Sequence, residues 1–571
     1  MNIKAPWLEF YGKVPKTLNY PDCSMVALVE KAAKKYPDNI AYDFMGNKVP
    51  YKKLVSEIDL CAKAYYLLGI RSGQRVAICL PNVPQGVISF YALNKIGAIP
   101  NMIHPLSSVG EIKSFIEMSG SVAAITLDQF ADKFKEILNT ISGFKLVITS
   151  VMDALAGVTK LAYRLTQNKK YPDLNFKTRV IHWQDFLDNG KKKLTLNYPA
   201  IAARDAAAIL YSGGTTGTTK GVLLSNLNFN ALAMQTAAMS GFDIAGKSML
   251  SVMPIFHGFG LGVCIHTILI SGGKCILIPR FNAESYAKLL KSKKPNFIAG
   301  VPTLYEAIIR NPKMKNVDLS CLVGVFSGGD SLSVSLKKKM DKFLAEHNAK
   351  VKIREGYGTT ECVTASCLTP YNLEKQGSIG LPFPDTFYKI VGVNTIDEVE
   401  YGTEGEICIS GPSVMLGYIN HQKENELALK KHADGNVWLH TGDLGVMDSE
   451  GFVYFRQRIK RMIITSGYSV YPSQLENIID SYPDVLLSCV IGLPDPVKMQ
   501  KIKAFIVLKE NVKKDGVKER LYDYMKKNIA KYAIPYDIEI RDELPKTLVG
   551  KVAYTVLEKQ ELEKLNKKAK P

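Results

Sequence analysis

The chain reads as an α/β protein that ends in a smaller α+β unit. Three observations lead there. Its 571 residues exceed what one hydrophobic core supports, so two or more domains are expected. Arg75 to Leu80, Gln85 to Lys95 and Gly97 to Ile103 read as strand, helix and strand, the order of parallel α/β layering. After about residue 380 the sequence turns to short alternating strands.

In chain order, Met25, Leu28, Val29 and Ala32 recur at helical spacing, and residues 25–68 predict two amphipathic helices around a short strand. The α/β alternation continues through Val122 to Leu127, Phe144 to Ser150 and a core around residues 206–330. Val151, Leu155, Val158, Leu161 and Leu165 fall at steps of three and four, flanked by Lys160, Arg164, Lys169 and Lys170. Residues 151–171 thus predict a basic amphipathic helix. It can lie in a membrane interface or pack on the domain core, and both readings stay open. Gly405 to Ser410 and Phe452 to Phe455 are strands. Val485 to Gly492, Ile502 to Leu508 and a helix over 517–530 build the terminal unit.

Composition is that of an ordinary globular protein, 46% hydrophobic and 22% charged. The ten cysteines form no Cys-x-x-Cys pair, and Cys362 and Cys367 lack zinc-ligand partners nearby in sequence. That pattern suits buried thiols in a reducing cytoplasm. Neither a signal core nor a run of about 20 apolar residues is present. The net charge of +19 draws anions such as nucleotides, CoA or acidic lipid, or else solubilises the surface. Nucleic acid is not expected, because no recognition motif appears and the lysines are dispersed.

The most informative run is Tyr211-Ser212-Gly213-Gly214-Thr215-Thr216-Gly217-Thr218-Thr219-Lys220-Gly221, placed after the apolar stretch Ala206 to Leu210. Glycines let backbone N–H groups turn toward a phosphate. Hydroxyls add donors or a magnesium ligand, and Lys220 adds a charge. It is not the P-loop, which closes on Gly-Lys-Ser/Thr. A second run, Glu355-Gly356-Tyr357-Gly358-Thr359-Thr360-Glu361, offers a ring for stacking on a base and a hard oxygen ligand. A third, Trp438-Leu439-His440-Thr441-Gly442-Asp443, offers a carboxylate for ribose hydroxyls or a turn aspartate. Arg456-Gln457-Arg458-Ile459-Lys460 follows, and then Ser466-Gly467-Tyr468-Ser469-Val470-Tyr471-Pro472. Leu544-Pro545-Lys546-Thr547-Leu548-Val549-Gly550-Lys551 lies near the end.

Together these runs resemble, in order and over nearly the whole chain, the acyl-adenylate-forming enzymes. The closest resemblance is to bacterial long-chain fatty-acyl-CoA ligases, echoed also by Gly411-Pro412-Ser413-Val414-Met415-Leu416-Gly417-Tyr418. The resemblance implies a large domain over 1–458, made of layered α/β subdomains with a small β-barrel-like part. It also implies a mobile α+β domain over 459–571 carrying a catalytic lysine, Lys551. On the same ground Ser212 to Lys220 cradle phosphates, and Thr215 and Glu361 hold Mg2+. Gly356, Tyr357, Gly358 and Thr359 hold adenine, with Tyr357 stacking on it, and Thr360 touches the phosphate. Asp443 and Arg458 take the ribose, with Arg458 reaching phosphate as well. Lys460 is the hinge, and Gly467 and Tyr468 approach CoA. His257 lies beside the acyl carboxylate, and Phe259, Gly328 and Gly329 border the acyl pocket.

The chain departs from the family pattern at Thr219 and Gln457, which replace a usual proline and a usual Asp or Gly. It also lacks an arginine at Ala553 or Tyr554. Residues 258–261, Gly-Phe-Gly-Leu, lack the aspartate that pairs with an amino-acid ammonium in family members using such substrates. An amino-acid substrate is therefore disfavoured, and the resemblance, with the apolar Phe259, Leu261, Val263, Ile265 and Ile268 after His257, implies a fatty acid of medium to long chain, with ATP and CoA as co-substrates. Two alternatives remain: transfer to a carrier-protein phosphopantetheine, and a catalytically idle, membrane-associated acyl-nucleotide-binding protein. Peripheral contact with an anionic cytoplasmic membrane face and a homodimer are further expectations left open.

Overall fold

The computed structural model describes residues 3–157, 159–161, 178–192, 196–212, 219–279, 283–510, 512–547 and 550–568. Two large sheets carry the first two thirds of the chain. One has eight strands in the order Gly417–Tyr418, Lys220–Ser225, Ala206–Ser212, Ile99–Met102, Arg75–Cys79, Ala123–Leu127, Lys145–Thr149, Val180–His182. Pairing is parallel from Ala206–Ser212 through Val180–His182, as the strand–helix–strand pattern requires. The crossover helix Pro84–Lys95 is buried along nearly its whole length, which explains its apolar character on every face.

The other sheet has nine strands: Leu381–Pro382, Cys367–Leu368, Ile353–Tyr357, Gly324–Ser327, Phe297–Gly300, Ser248–Ser251, Lys274–Leu277, Ile40–Phe44, Asn47–Pro50. Its inner strands are parallel and buried. The barrel-like part is a five-stranded antiparallel sheet. It is built on Val437–Met447, which pairs with Gly405–Ser410, Leu429–Lys431 and Val453–Arg458, while Phe387–Val391 adds to Gly405–Ser410.

The terminal unit has its own five-stranded sheet, in which Met499–Leu508 pairs with Val485–Asp495, Ile463–Thr465 and Asp537–Arg541. Ile479, Ile506, Leu521 and Met525 form a core on one face. Leu493, Phe505 and Leu557 form another on the opposite face.

Two sequence expectations are corrected. The single strand expected between the first helices is a hairpin, Ile40–Phe44 with Asn47–Pro50. Met45 and Gly46 both take positive φ at its turn, as a tight two-residue hairpin demands. The helix expected from residue 151 does not start there. Val151–Ala154 is a 3₁₀ turn in which Asp153 Oδ2 accepts from Ser150 N at 2.8 Å, and it ends at Leu155, which is extended and buried. Most of residues 151–171, including Arg164, Lys169 and Lys170, lie outside the described residues.

Candidate active site

The phosphate-type run sits at the tip of a hairpin. Strands Ala206–Ser212 and Lys220–Ser225 are antiparallel, with Ser212 opposite Lys220 and Tyr211 opposite Gly221. The loop between them, Gly213, Gly214, Thr215, Thr216, Gly217 and Thr218, lies outside the described residues. Its ends, Ser212 and Thr219, line a cleft of about 770 Å³. Lys220 Nζ lies over the Tyr418 ring, 4.4 Å from its centroid. Tyr418 in turn donates its hydroxyl to Glu361 Oε1 at 2.8 Å. Tyr418 thus meets the lysine with its ring and the carboxylate with its hydroxyl.

Glu361 comes after the strand Ile353–Tyr357, and Gly356, Tyr357, Gly358, Thr359 and Thr360 join it along the cleft. Gly358 admits no side chain: a Cβ there would lie 2.2 Å from the Thr364 carbonyl oxygen. Just beyond, Val363 holds φ 65° and ψ −55°, and Thr364 N donates to Cys362 O at 2.8 Å. This is a γ-turn of the strained hand, rare for a β-branched residue. It presses on the loop of His257, since a Cβ at Gly258 would lie 1.7 Å from Val363 O.

The antiparallel sheet supplies the next pair. Asp443 faces Arg458 in register, with Nε 3.4 Å from Oδ1. Tyr357 donates its hydroxyl to Asp443 Oδ2 at 2.7 Å. Among the described residues Asp443 Oδ1 accepts no hydrogen bond, so it can accept one from a ligand. Burial pushes the Asp443 carboxyl up, against the pull of Arg458, while the Asp443 charge raises Arg458.

Lys551 comes from the terminal unit and lines the same cleft. The turn before it is tied to the large domain where Thr303 Oγ1 donates to Gly550 O at 3.0 Å. Burial pushes the Lys551 ammonium down, with Asp330 pulling it back up. His257 is held at about 3, first by burial and then by the Lys551 charge. Its neutral ring accepts from Phe259 N at Nδ1, 3.2 Å away, which leaves Nε2–H as the donor. Gly329 has φ +81°, and a Cβ there would meet Lys551 Cε at 3.7 Å.

Beside the cleft an apolar pocket opens, sharing Gly329, Gly356 and Thr364 with it. Phe259 and Gly328 stand at this junction, and Ile244, Met249, Val263, Ile268, Phe297 and Phe326 line the interior.

A match over most of the chain decides the family. The AMP-binding enzyme model covers residues 29–419, and the AMP-binding enzyme C-terminal domain model covers 474–551. The chain belongs to the AMP-binding enzyme family. This AMP-binding enzyme is 33% identical over 571 residues to a long-chain-fatty-acid–CoA ligase of Bacillus subtilis, across 99% of both chains. It is 32% identical over 581 residues to one of Yersinia pestis, across 98% of this chain and 99% of that one. Among solved structures, ATP-bound MatB from Rhodopseudomonas palustris has a TM-score of 0.80 at 23% identity, covering 93% of this chain and 98% of that one. An anthranilate CoA ligase complexed with anthranoyl-AMP has a TM-score of 0.81 at 22% identity, covering 96% and 98%. Both share the fold.

In this AMP-binding enzyme one cleft gathers Ser212, Thr219, His257, Gly329, Gly356 to Glu361, Asp443, Arg458 and Lys551. Lys460, Gly467 and Tyr468 do not line it. Lys460 sits in the 3₁₀ turn Ile459–Arg461, and the exposed Tyr468 stacks on Tyr532 at 4.3 Å. Sequence reasoning missed Tyr418 and Asp330. Tyr418 stood in a quoted motif with no role attached, and Asp330 directly follows Ser327-Gly328-Gly329.

Proposed function

We propose that this enzyme activates a fatty acid of medium to long chain with ATP and transfers the acyl group to CoA. The observation that carries this reading is the seating of Lys551 beside Asp443 and Arg458, at a cleft that opens into an apolar pocket. In the first step a carboxylate oxygen attacks the α-phosphorus. The bond from that phosphorus to the bridging oxygen breaks, and pyrophosphate leaves with acyl-AMP formed. Lys551, which lines the cleft, bridges the carboxylate and the α-phosphate as charge develops. The neutral His257 offers Nε2–H to the carboxylate without competing for its charge. Asp443 Oδ1 takes a ribose hydroxyl, and Arg458 orients Asp443 and reaches phosphate.

In the second step the CoA thiolate attacks the acyl carbonyl carbon and AMP leaves. A turn of residues 459–571 about Lys460 withdraws Lys551 and brings Gly467 and Tyr468 to the site. Their position off the cleft accords with such a turn.

The residues present fit a magnesium ion. Glu361 keeps Oε2 without a hydrogen bond among the described residues, and Thr215 would add a hydroxyl. Bound there, Mg2+ would neutralise phosphate charge.

The chain's positive charge and Lys160, Arg164, Lys169 and Lys170 support a cytoplasmic enzyme that visits anionic membrane surfaces, where fatty acids partition. Among the described residues no helix is long and apolar enough to cross a membrane.

Pyrophosphate release, measured over short to very long acids with CoA present, tests the reading. Turnover should peak with medium or long chains. A flat response across all lengths would overturn it.

A further inference from the structure

Away from the cleft, the five-stranded antiparallel sheet gathers three side chains that the adenylation reading does not use. Cys408 on Gly405–Ser410 lies opposite His440 on Val437–Met447 in the strand register. His432 follows Leu429–Lys431 at a turn in which its N–H donates to Asn436 O at 3.0 Å. One ligand atom from each side chain lies within 4.8 Å of the other two. All three residues are buried, His432 at 4% and His440 at 8% exposure.

The hydrogen bonding orients the rings. His440 Nδ1–H donates to Glu406 Oε2 at 2.8 Å, which leaves Nε2 as a lone pair. That lone pair faces His432 Nε2 at 3.0 Å. His432 Nδ1 is buried with no hydrogen-bond partner among the described residues. A carboxylate behind a histidine is the usual outer support of a metal site.

We propose that Cys408, His432 and His440 form a transition-metal site of the zinc type, with Glu406 as its outer hydrogen bond. Binding breaks the Cys408 S–H bond and forms a sulfur–metal bond, with the proton passing to water, and the His432 ring proton moves from Nε2 to Nδ1 so that Nε2 can ligate. One thiolate and the Glu406 carboxylate then balance a divalent cation, so the buried cluster ends neutral. Two Zn–N bonds of about 2.0–2.1 Å at the tetrahedral angle set their nitrogens about 3.3–3.4 Å apart, so the rings need part by only a few tenths of an ångström. A water completes the shell. The site would also bear on the cleft, because Glu406 Oε1 accepts from Gly442 N at 2.9 Å, next to Asp443.

The test uses the metal-stripped full chain titrated with Co2+ and then Zn2+. One equivalent of Co2+ should bind, with a near-ultraviolet thiolate charge-transfer band, and Zn2+ should displace it. Cys408→Ser should abolish the band, and His432→Gln should weaken binding by about tenfold or more. Absence of a thiolate band would overturn the proposal. So would its survival in Cys408→Ser, which would assign the thiolate to another cysteine. Should Cys408→Ser fail to fold, X-ray absorption of the zinc-loaded unmodified chain decides. One sulfur with two imidazoles supports the site, and a shell without sulfur excludes it.

Discussion

Asp443 and Arg458 face each other across neighbouring strands, with Arg458 Nε 3.4 Å from Asp443 Oδ1, while Tyr357 holds the other carboxylate oxygen. Among the described residues Oδ1 has no hydrogen bond, in a buried position. Asp443→Ala removes that acceptor and leaves the Tyr357 hydroxyl and Arg458 without their partner. A hydrogen bond to a charged group contributes about 1.5–3 kcal/mol, so kcat/KM for ATP should fall roughly tenfold to a hundredfold. Initial rates of pyrophosphate release against ATP concentration check this. A variant with unchanged kcat/KM would take Asp443 out of nucleotide binding.

The two proposed steps should depend on Lys551 unequally. Its ammonium is seated in the cleft by the Thr303–Gly550 hydrogen bond. Lys551→Ala should slow acyl-AMP formation by about two to three orders of magnitude, the scale of a lost charge stabiliser. Thioester formation from supplied acyl-AMP should survive. The two half-reactions are followed separately by pyrophosphate release and by acyl-CoA formation. Equal losses in both would contradict a role confined to adenylation.

What the sequence disclosed follows from how local each signal is. The glycine and hydroxyl runs and the alternation of strand and helix depend on near neighbours, so the layered α/β architecture was legible, and the runs around Gly356, Asp443 and Lys551 could be named as candidates before their meeting in one cleft was seen. Tyr418 was not assigned, because its position between Lys220 and Glu361 depends on the pairing of Gly417–Tyr418 with Lys220–Ser225. Cys408, His432 and His440 are brought together by sheet register and match no compact metal spacing. The hairpin after Ile40 was hidden because Met45-Gly46 is a weak substitute for the Asn-Gly that usually marks such a turn. At Val151, helical periodicity was overridden where the chain extends at Leu155 and buries its side chain.

Glu355 gives a pH-dependent stability. Burial pushes its carboxyl up to about 8, although Oε1 accepts from Leu332 N at 2.9 Å. The folded state therefore holds a proton that the unfolded state releases near the ordinary value of 4.5. The stabilising contribution is full below about pH 4.5 and is lost as pH rises toward about 8. Glu355→Gln keeps an acceptor for Leu332 and removes the charge, so its melting temperature should fall less over that window than that of the unmodified chain. Asp480, also raised to about 8 by burial, acts with the same sign, so the slope should shrink without vanishing. Parallel melting curves would exclude Glu355 as a source.

Membrane contact has a salt signature. Attraction of Lys160, Arg164, Lys169 and Lys170 to acidic headgroups contributes about 1 kcal/mol per charge near the surface and is screened by salt. Co-sedimentation with anionic vesicles should weaken as salt rises, and should drop when these four residues are changed to Gln. Binding that ignores both changes would remove this segment from the interface.

Gly329 separates backbone strain from loss of the lysine. Its φ of +81° lies where an L-residue costs roughly 1–2 kcal/mol. An added Cβ would lie 3.5 Å from Val301 Cγ1 and 3.7 Å from Lys551 Cε, both ordinary contacts. Gly329→Ala should therefore lower the melting temperature through the backbone and crowd neither Val301 nor Lys551. Adenylation should fall less than in Lys551→Ala, because the ammonium keeps its place. Thermal melting and pyrophosphate release, measured on the same preparation, distinguish the two effects. An adenylation loss as deep as that of Lys551→Ala, with an unchanged melting temperature, would mean that the glycine acts through the reacting groups.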